Sequence, residues 1–297
     1  MNGALVIDKP SGPSSHDVVA RVRRALAVKR VGHTGTLDPM ATGVLPLLLG
    51  QATRLARFFA ASEKAYDTRI RLGLATDTFD ATGEPAPQAG RVPGGSAMPD
   101  EAAIANALAP FRGVIQQAPP AFSAKWIGGV RAYDLARRQA PVEPAPVSVT
   151  VHALDLLGVD GTAVDVRVVC SAGFYVRSLA HDLGVSLGCG AHLESIRRTR
   201  SGPFTLDQAV PLATVEAEGF GAAARLISIE SLLPEVPSLT LSERGARRAA
   251  HGNAVMASDV AGPIPDAPFT RLFDGRGALI AIAEPGIGVL HPVVVLR

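Results

Sequence analysis

Gly32-His33-Thr34-Gly35-Thr36-Leu37-Asp38-Pro39-Met40-Ala41-Thr42-Gly43 runs directly into Val44-Leu45-Pro46-Leu47-Leu48-Leu49. A stretch with three glycines and a proline cannot form a regular element, and the apolar residues after it read as a buried strand. The loop is therefore held at one end by a strand, and it presents one carboxylate, Asp38. Pro39 fixes the backbone behind that carboxylate, while Gly35 and Gly43 permit tight turns or the close approach of a ligand. The pattern alone leaves Asp38 two roles: a displayed functional group, or closure of an Asx-turn before Pro39. His33 reads as a surface residue, a nucleic-acid contact or a metal ligand. The last is weak, because no second His or Cys stands at ligand spacing.

Working outward, residues 4–7 form an apolar run stopped by Asp8-Lys9-Pro10-Ser11-Gly12, a strand entering a tight turn. A helix follows, capped by Ser14 or Ser15, with Asp17 in its first turn. Val18, Val19, Val22, Ala25 and Leu26 recur at helical spacing, with Arg21, Arg23 and Arg24 displayed between them. Residues 29–43 read as loop throughout. Beyond the central strand the pattern predicts a short helix at 53–59, a strand at 66–72, an exposed Gly/Pro-rich loop at 82–99 and a helix at 100–108. It continues with a strand at 121–126, a helix at 132–138, strands at 147–157 and 163–170, and a helix at 174–187. The pattern breaks around Leu233-Pro234-Glu235-Val236-Pro237, after which short β-like runs appear at 270–273, 278–283 and 292–296. Strands and helices mix without regular alternation and without a Gly-x-Gly-x-x-Gly turn. That predicts an α+β fold on an antiparallel or mixed sheet, with no dinucleotide cofactor. The main body is expected over residues 1–235 and a small β domain over residues 236–297.

With 47% hydrophobic and 19% charged residues, the 297-residue chain can bury a large core, which excludes disordered and fibrous classes. Its net charge is only +2, but the first sixty residues carry eight basic groups against three acids. A polyanion-facing surface there is one reading and a solvated face the other. Cys170 and Cys189 lack metal-site or disulfide-framework spacing, so a reducing cytoplasm is expected. No apolar run approaches the roughly eighteen residues that a bilayer needs, and the opening residues do not read as a signal peptide. No membrane association is expected.

Two further clusters carry polar side chains in turns. Leu72-Gly73-Leu74-Ala75-Thr76-Asp77-Thr78-Phe79-Asp80-Ala81-Thr82-Gly83 offers two acids but not the spacing of an EF-hand, so a turn with local Asx and Thr hydrogen bonds is favoured over a cation site. Ser171-Ala172-Gly173-Phe174-Tyr175-Val176-Arg177-Ser178-Leu179 sets an aromatic pair and an arginine at a helix start, where Arg177 could clamp a carboxylate or phosphate.

Together with Lys64-Ala65-Tyr66, Pro119-Pro120-Ala121-Phe122-Ser123-Ala124-Lys125, Tyr133, Ala136-Arg137, Leu193 and Arg197-Arg198, all in the same order, these clusters resemble the bacterial tRNA pseudouridine-55 synthases, the TruB family. The resemblance implies a pseudouridine-synthase fold with a mixed, largely antiparallel sheet. In outline it also implies a small C-terminal PUA-like β-barrel that binds RNA. The implied activity is isomerisation of the T-loop uridine of tRNA, with no redox change, no cofactor and no metal. By resemblance Asp38 is the nucleophile, attacking either the ribose C1′ or the base C6, and Arg177 is the cation that holds it. Asp80 matches the second acid on that arginine. Tyr66 matches the aromatic that packs on the target ring and helps remove the C5 proton. Tyr175 and Ile196 would wall the base, Ile196 standing where leucine is more usual. His33 would occupy the space left by the flipped base, and Lys9 would support phosphate or peptide geometry. The implied partner is the T-arm of tRNA, bound by a monomer that needs no partner protein. Arg21, Arg23, Arg24, Lys29, Arg30, Arg197, Arg198 and Arg200 would form the electrostatic footprint. A second reading on the same scaffold is a non-catalytic tRNA-binding or tRNA-folding protein. Asp38 separates the two, since a pure binder gains nothing from a carboxylate beside RNA.

Overall fold

Ser14 accepts a hydrogen bond from the Asp17 amide at 3.2 Å, and Asp17 accepts one from the Ser14 amide at 2.9 Å. This reciprocal cap starts the helix Ser15–Ala25, whose Val18 and Val22 face the core while Arg21, Arg23 and Arg24 stay exposed. The computed structural model describes residues 1–86, 98–122 and 144–296, with the backbone alone of residues 126–127 and 130–131. The expected helix at 132–138, with Tyr133, Ala136 and Arg137, lies outside the described residues. So do Ser123, Ala124, Lys125 and most of the expected 82–99 loop.

The main sheet is built from β1 (Gly3–Lys9), β2 (Val31–His33), β3 (Thr42–Leu49), β4 (Lys64–Leu72) and β5 (Gly113–Gln117). After a small ribbon, β6 (Trp126–Ile127) with β7 (Val130–Arg131), it continues with β8 (Val147–Asp160), β9 (Ala163–Cys170) and β10 (Ala191–Ser201), then the short β11 (Phe204–Thr205), β12 (Val210–Pro211) and β13 (Ile227–Ser228). Its order is β12-β1-β3-β10-β4-β9-β8-β5, mixed and mostly antiparallel, with β10 parallel to β3. A second, six-stranded sheet follows: β14 (Ser238–Leu241), β15 (Val255–Met256), β16 (Val260–Ala261), β17 (Thr270–Phe273), β18 (Leu279–Gly286) and β19 (Val289–Val295). It encloses its own small core of Leu239, Leu241, Leu272 and Ala281, the PUA-like barrel of this α+β fold. Among the described residues no helix is long and apolar enough to cross a membrane.

β3 shows why its apolar run has no polar partner face. Leu45, Leu47 and Leu49 pack with Val18, Val22 and Leu179 on the helix side, whereas Val44 and Leu48 pack with Leu279, Ile282 and Val294 of the barrel. Both faces are buried, so alternation disappears. Each such leucine contributes about 1.5–3 kcal/mol on burial. Pro46 is tolerated because its backbone edge faces away from β1. Its carbonyl accepts from the Thr34 amide at 3.2 Å, between the end of β10 pairing and the start of β2 pairing, where no ladder donor is needed. Gly43 is required for a different reason. Its φ is +97°, and a Cβ there would lie 2.2 Å from the Arg198 carbonyl.

Three local expectations are corrected. Residues 31–33 are not loop but β2, paired with residues 47–49. Ala121 and Phe122 form a bend and not the start of a strand, and the helix expected at 174–187 is Val176–Ser186, because Gly173 has φ +87° and Tyr175 is extended. β10, the strand between β3 and β4, has no counterpart in the sequence reading. Its periodicity is broken by register shifts between Leu193 and Ser195 and between Arg198 and Arg200.

Candidate active site

Across three strands, Arg198 stands in register with Gly43 on one side and Tyr66 on the other. The Asp38 loop crosses above this point, between β2 and β3, and its backbone is held from beneath by two buried cations. Lys9, fully buried, donates to the carbonyls of Pro10 (3.0 Å), Pro39 (3.0 Å) and Ala41 (2.7 Å). Arg198, 1% exposed, donates to Val44 (2.7 Å), Gly35 (3.1 Å) and Thr36 (3.4 Å). The Ser15 hydroxyl both accepts from the Leu37 amide and donates to its carbonyl, which stitches the loop to the first helix. Unpaired carbonyls would make such a loop costly to bury, and these donors satisfy them while fixing one conformation.

Burial pulls the Lys9 ammonium down to about 8, with Asp38 drawing it up and Arg198 pushing it down. Between about 8 and the ordinary lysine value of 10.5 the unfolded chain keeps a proton that the folded one has lost, so this group's contribution to stability improves as pH rises through that window. The urea midpoint of the native protein is expected to gain on that of Lys9→Met between about pH 7 and about pH 9.5. Parallel pH dependence in the two proteins would mean that Lys9 titrates as an ordinary surface lysine.

The second half of the site arrives on the Val176–Ser186 helix. Arg177 pairs edge-on with Asp38, Nε to Oδ2 at 3.0 Å and a terminal nitrogen to Oδ1 at 3.3 Å. Its other donors reach the carbonyls of Phe122 (2.9 Å) and Thr78 (3.3 Å), and Asp80 Oδ2 lies 3.6 Å away. The far oxygen of Asp80 accepts from the Thr78 hydroxyl (2.8 Å) and from the Thr82 amide (2.9 Å) and hydroxyl (2.6 Å). Asp77 closes its own turn by accepting from the Glu84 amide, and no metal-ligating cluster occurs among the described residues. The pair of acids therefore orients an arginine through Asp80 and shapes a turn through Asp77.

Asp38, Tyr66, Tyr175, Arg177, Ile196 and Arg198 all line one cavity of about 590 Å³. Burial raises the Tyr66 phenol above its ordinary value, with Arg198 opposing. Asp80, Lys9 and His33 do not line the cavity. The first two act on it through Arg177 and the loop backbone, whereas His33 stands on β2, edge-on to His16 at 5.4 Å between ring centroids. Burial lowers the His33 imidazole, and its Nδ1 has no hydrogen-bond partner among the described residues.

The expected basic footprint is corrected at Arg198, which is buried under the loop. Arg197, bound to Asp8 through two contacts of 3.0 and 2.8 Å, and Arg200, facing Glu63 at 3.3 Å, stay partly exposed. Arg21, Arg23, Arg24, Lys29 and Arg30 remain exposed. Gln117 is a site residue that the sequence reading passed over. Its amide donates to the Tyr175 carbonyl (3.0 Å) and accepts from the Tyr175 amide (2.8 Å), fixing the entry to the arginine-bearing helix. A Gln at a strand end, here following Gln116, carries no sequence signal for that role.

Residues 23–176 match the model for the N-terminal domain of TruB family pseudouridylate synthases, and residues 177–232 match the tRNA pseudouridylate synthase B C-terminal domain. The tRNA pseudouridine synthase B of Solibacter usitatus is 44% identical, covering 100% of both chains. That of Thermobifida fusca is 44% identical over 99% of this chain and 98% of its own. Among solved structures, a Cbf5-Nop10-Gar1 complex superposes with a TM-score of 0.74 at 26% identity, covering 99% of this chain and 85% of that one. An H/ACA ribonucleoprotein bound to a substrate RNA containing 2′-deoxyuridine gives 0.73 at 24% identity, with coverage of 99% and 85%.

Proposed function

The chain belongs to the TruB family of pseudouridylate synthases, and from that membership we propose that it isomerises uridine to pseudouridine at position 55, in the T-loop of tRNA, with Asp38 as the nucleophile. The observation that carries the reading is the Asp38–Arg177 pair in the cavity wall. The carboxylate side chain is 43% exposed and the guanidinium that grips it 7%. The acid is thus open to a ligand, while the cation that orients it is closed off. A carboxylate held this way is equipped for covalent catalysis.

In the reaction the N1–C1′ bond breaks, the base turns and a C5–C1′ bond forms. N1 ends with a proton, the C5 hydrogen leaves to solvent, and Asp38 is regenerated. Substrate and product have the same composition, so the chemistry consumes no redox partner and needs no cofactor. The target base must leave its stack at a cost of about a few kcal/mol. Tyr66, Tyr175 and Ile196 supply walls for the extruded ring, and the cavity size falls in the range of small-ligand sites. The raised Tyr66 phenol favours packing over proton abstraction. His33, unpaired at Nδ1 among the described residues and outside the cavity, is assigned the space the base vacates. Lys9 and Asp80 act as orienting groups. The same reading has the protein meet the T-arm as a monomer without a partner protein. Both cysteines are buried free thiols, in keeping with a cytoplasmic enzyme.

A T-arm offers A-form phosphates and a structured loop, met through shape and backbone charge. Native protein is expected to release tritium from tRNA labelled at uridine C5, and to release none from an equally labelled transcript with cytidine at position 55. Affinity should fall with salt, and Arg23→Ala with Arg24→Ala should flatten the log–log slope by about 2 if each contacts one phosphate. Tight salt-sensitive binding without release would leave the binding-only reading in place, and undiminished release from the cytidine transcript would move the modified uridine elsewhere.

A further inference from the structure

Phe79 has φ +64°, a left-handed conformation that bulky residues rarely adopt. It sits between the two turn residues that face Arg177: Thr78, whose carbonyl accepts from the guanidinium, and Asp80, whose carboxylate pairs with it. The Phe79 ring lies flat on the imidazole of His181, with centroids 3.8 Å apart and planes inclined by 13°. His181 is four residues after Arg177 on the same helix, so both side chains project from one face. On its other edge the turn is fastened to β10, where the Leu193 amide donates to the Phe79 carbonyl and the Ala81 amide to the Leu193 carbonyl, both at 2.9 Å.

We propose that the Phe79–His181 stack is a positioning clamp, which holds the Thr78–Asp80 turn at a fixed height on the helix so that the turn completes the ligand set of Arg177 and leaves its Nε edge for Asp38. Arg177 spans the gap between helix and turn with hydrogen bonds, and a flexible side chain cannot also set the width of the gap it spans. The ring stack is a second join between the same two segments, and it is rigid. The chemistry of His181 agrees with this use. Its Nδ1 is buried without a hydrogen-bond partner among the described residues, and burial lowers its proton affinity, so the ring meets the turn through its face and not through Nδ1. The left-handed backbone at Phe79 brings that ring over the helix while its neighbours still point at the arginine.

The inference rests on the roles proposed above for Asp38 and Arg177, and the test keeps the two apart. Tritium release from uridine-labelled tRNA is measured for the native protein, His181→Ala, Phe79→Gly, Phe79→Leu and His181→Phe, with kcat and KM separated and tRNA affinity and melting temperature recorded. The glycine variant removes the ring and relieves the backbone together, so it keeps the question open to test should His181→Ala unfold. His181→Phe preserves the stack. We expect kcat to fall about tenfold in the Ala, Gly and Leu variants with KM and tRNA affinity nearly unchanged, and His181→Phe to stay within about twofold of native. Native kcat in folded His181→Ala or Phe79→Gly overturns the clamp. So does a fall in kcat that follows melting temperature across the set, with His181→Phe no better than His181→Ala. A native protein that releases no tritium would instead overturn the functional reading on which the clamp rests.

Discussion

Asp38→Asn is expected to bind tRNA at least as well as the native protein and to release tritium from its uridines slower by on the order of a thousandfold or more. The amide has the shape of the carboxylate and keeps one oxygen for Arg177, so the loop, held by Lys9, Ser15 and Arg198, has no reason to move. What the variant lacks is the nucleophilic carboxylate. Because Asp38 is partly exposed and its loop is fastened by other residues, the cost to folding should be small. Removing a negative charge beside bound RNA should not weaken binding. Release within about tenfold of native would remove Asp38 from the nucleophile's role, since losing a covalent catalyst costs far more than that.

Arg177 should show a double effect. Lysine offers one point charge and cannot serve the two oxygens of Asp38, the carbonyls of Thr78 and Phe122 and the carboxylate of Asp80 together. Arg177→Lys is expected to lower kcat by on the order of a hundredfold, as a misoriented reacting group does. Arg177→Met goes further, because it strands Asp80, whose side chain is 6% exposed. Removing one partner of a buried pair costs about 3–5 kcal/mol, and the three donors on the other Asp80 oxygen place this case toward the lower figure. Adding Asp80→Asn to Arg177→Met should restore much of the denaturant midpoint and none of the turnover. Additive losses in stability would show that the two side chains are not coupled.

The residues that could be read directly were those whose chemistry is visible one at a time. The glycine loop, the apolar β3, the Ser14 cap and the β8–β9 hairpin each obey a local rule. Asp38, Tyr66, Tyr175, Arg177 and Ile196 followed from a family resemblance, and they do share one cavity. What stayed hidden depends on long-range partners. Arg198 looks like a surface cation until a loop from elsewhere in the chain lays its carbonyls over it, and only the resemblance marks Lys9 as a support for peptide geometry. β10 carries His192, Glu194, Arg197, Arg198 and Arg200 over eleven residues, and its two register shifts erase the alternation that would mark a strand. Phe79 and His181 are about a hundred residues apart in sequence and become neighbours only when the turn closes on the helix.

Val44 and Leu48 rest on Leu279, Ile282 and Val294, so the strand that anchors the Asp38 loop has the barrel as its back wall. The barrel is therefore less an attached tool than part of the bench. An evolving or engineered lineage could reshape its outer loops freely, but could not discard or exchange it without first repainting the hidden side of β3 with polar residues. That side lies one residue away from Gly43, where no Cβ can be accommodated. Gene-level shuffling of this module is hindered by the interior of the molecule, whatever its surface would allow.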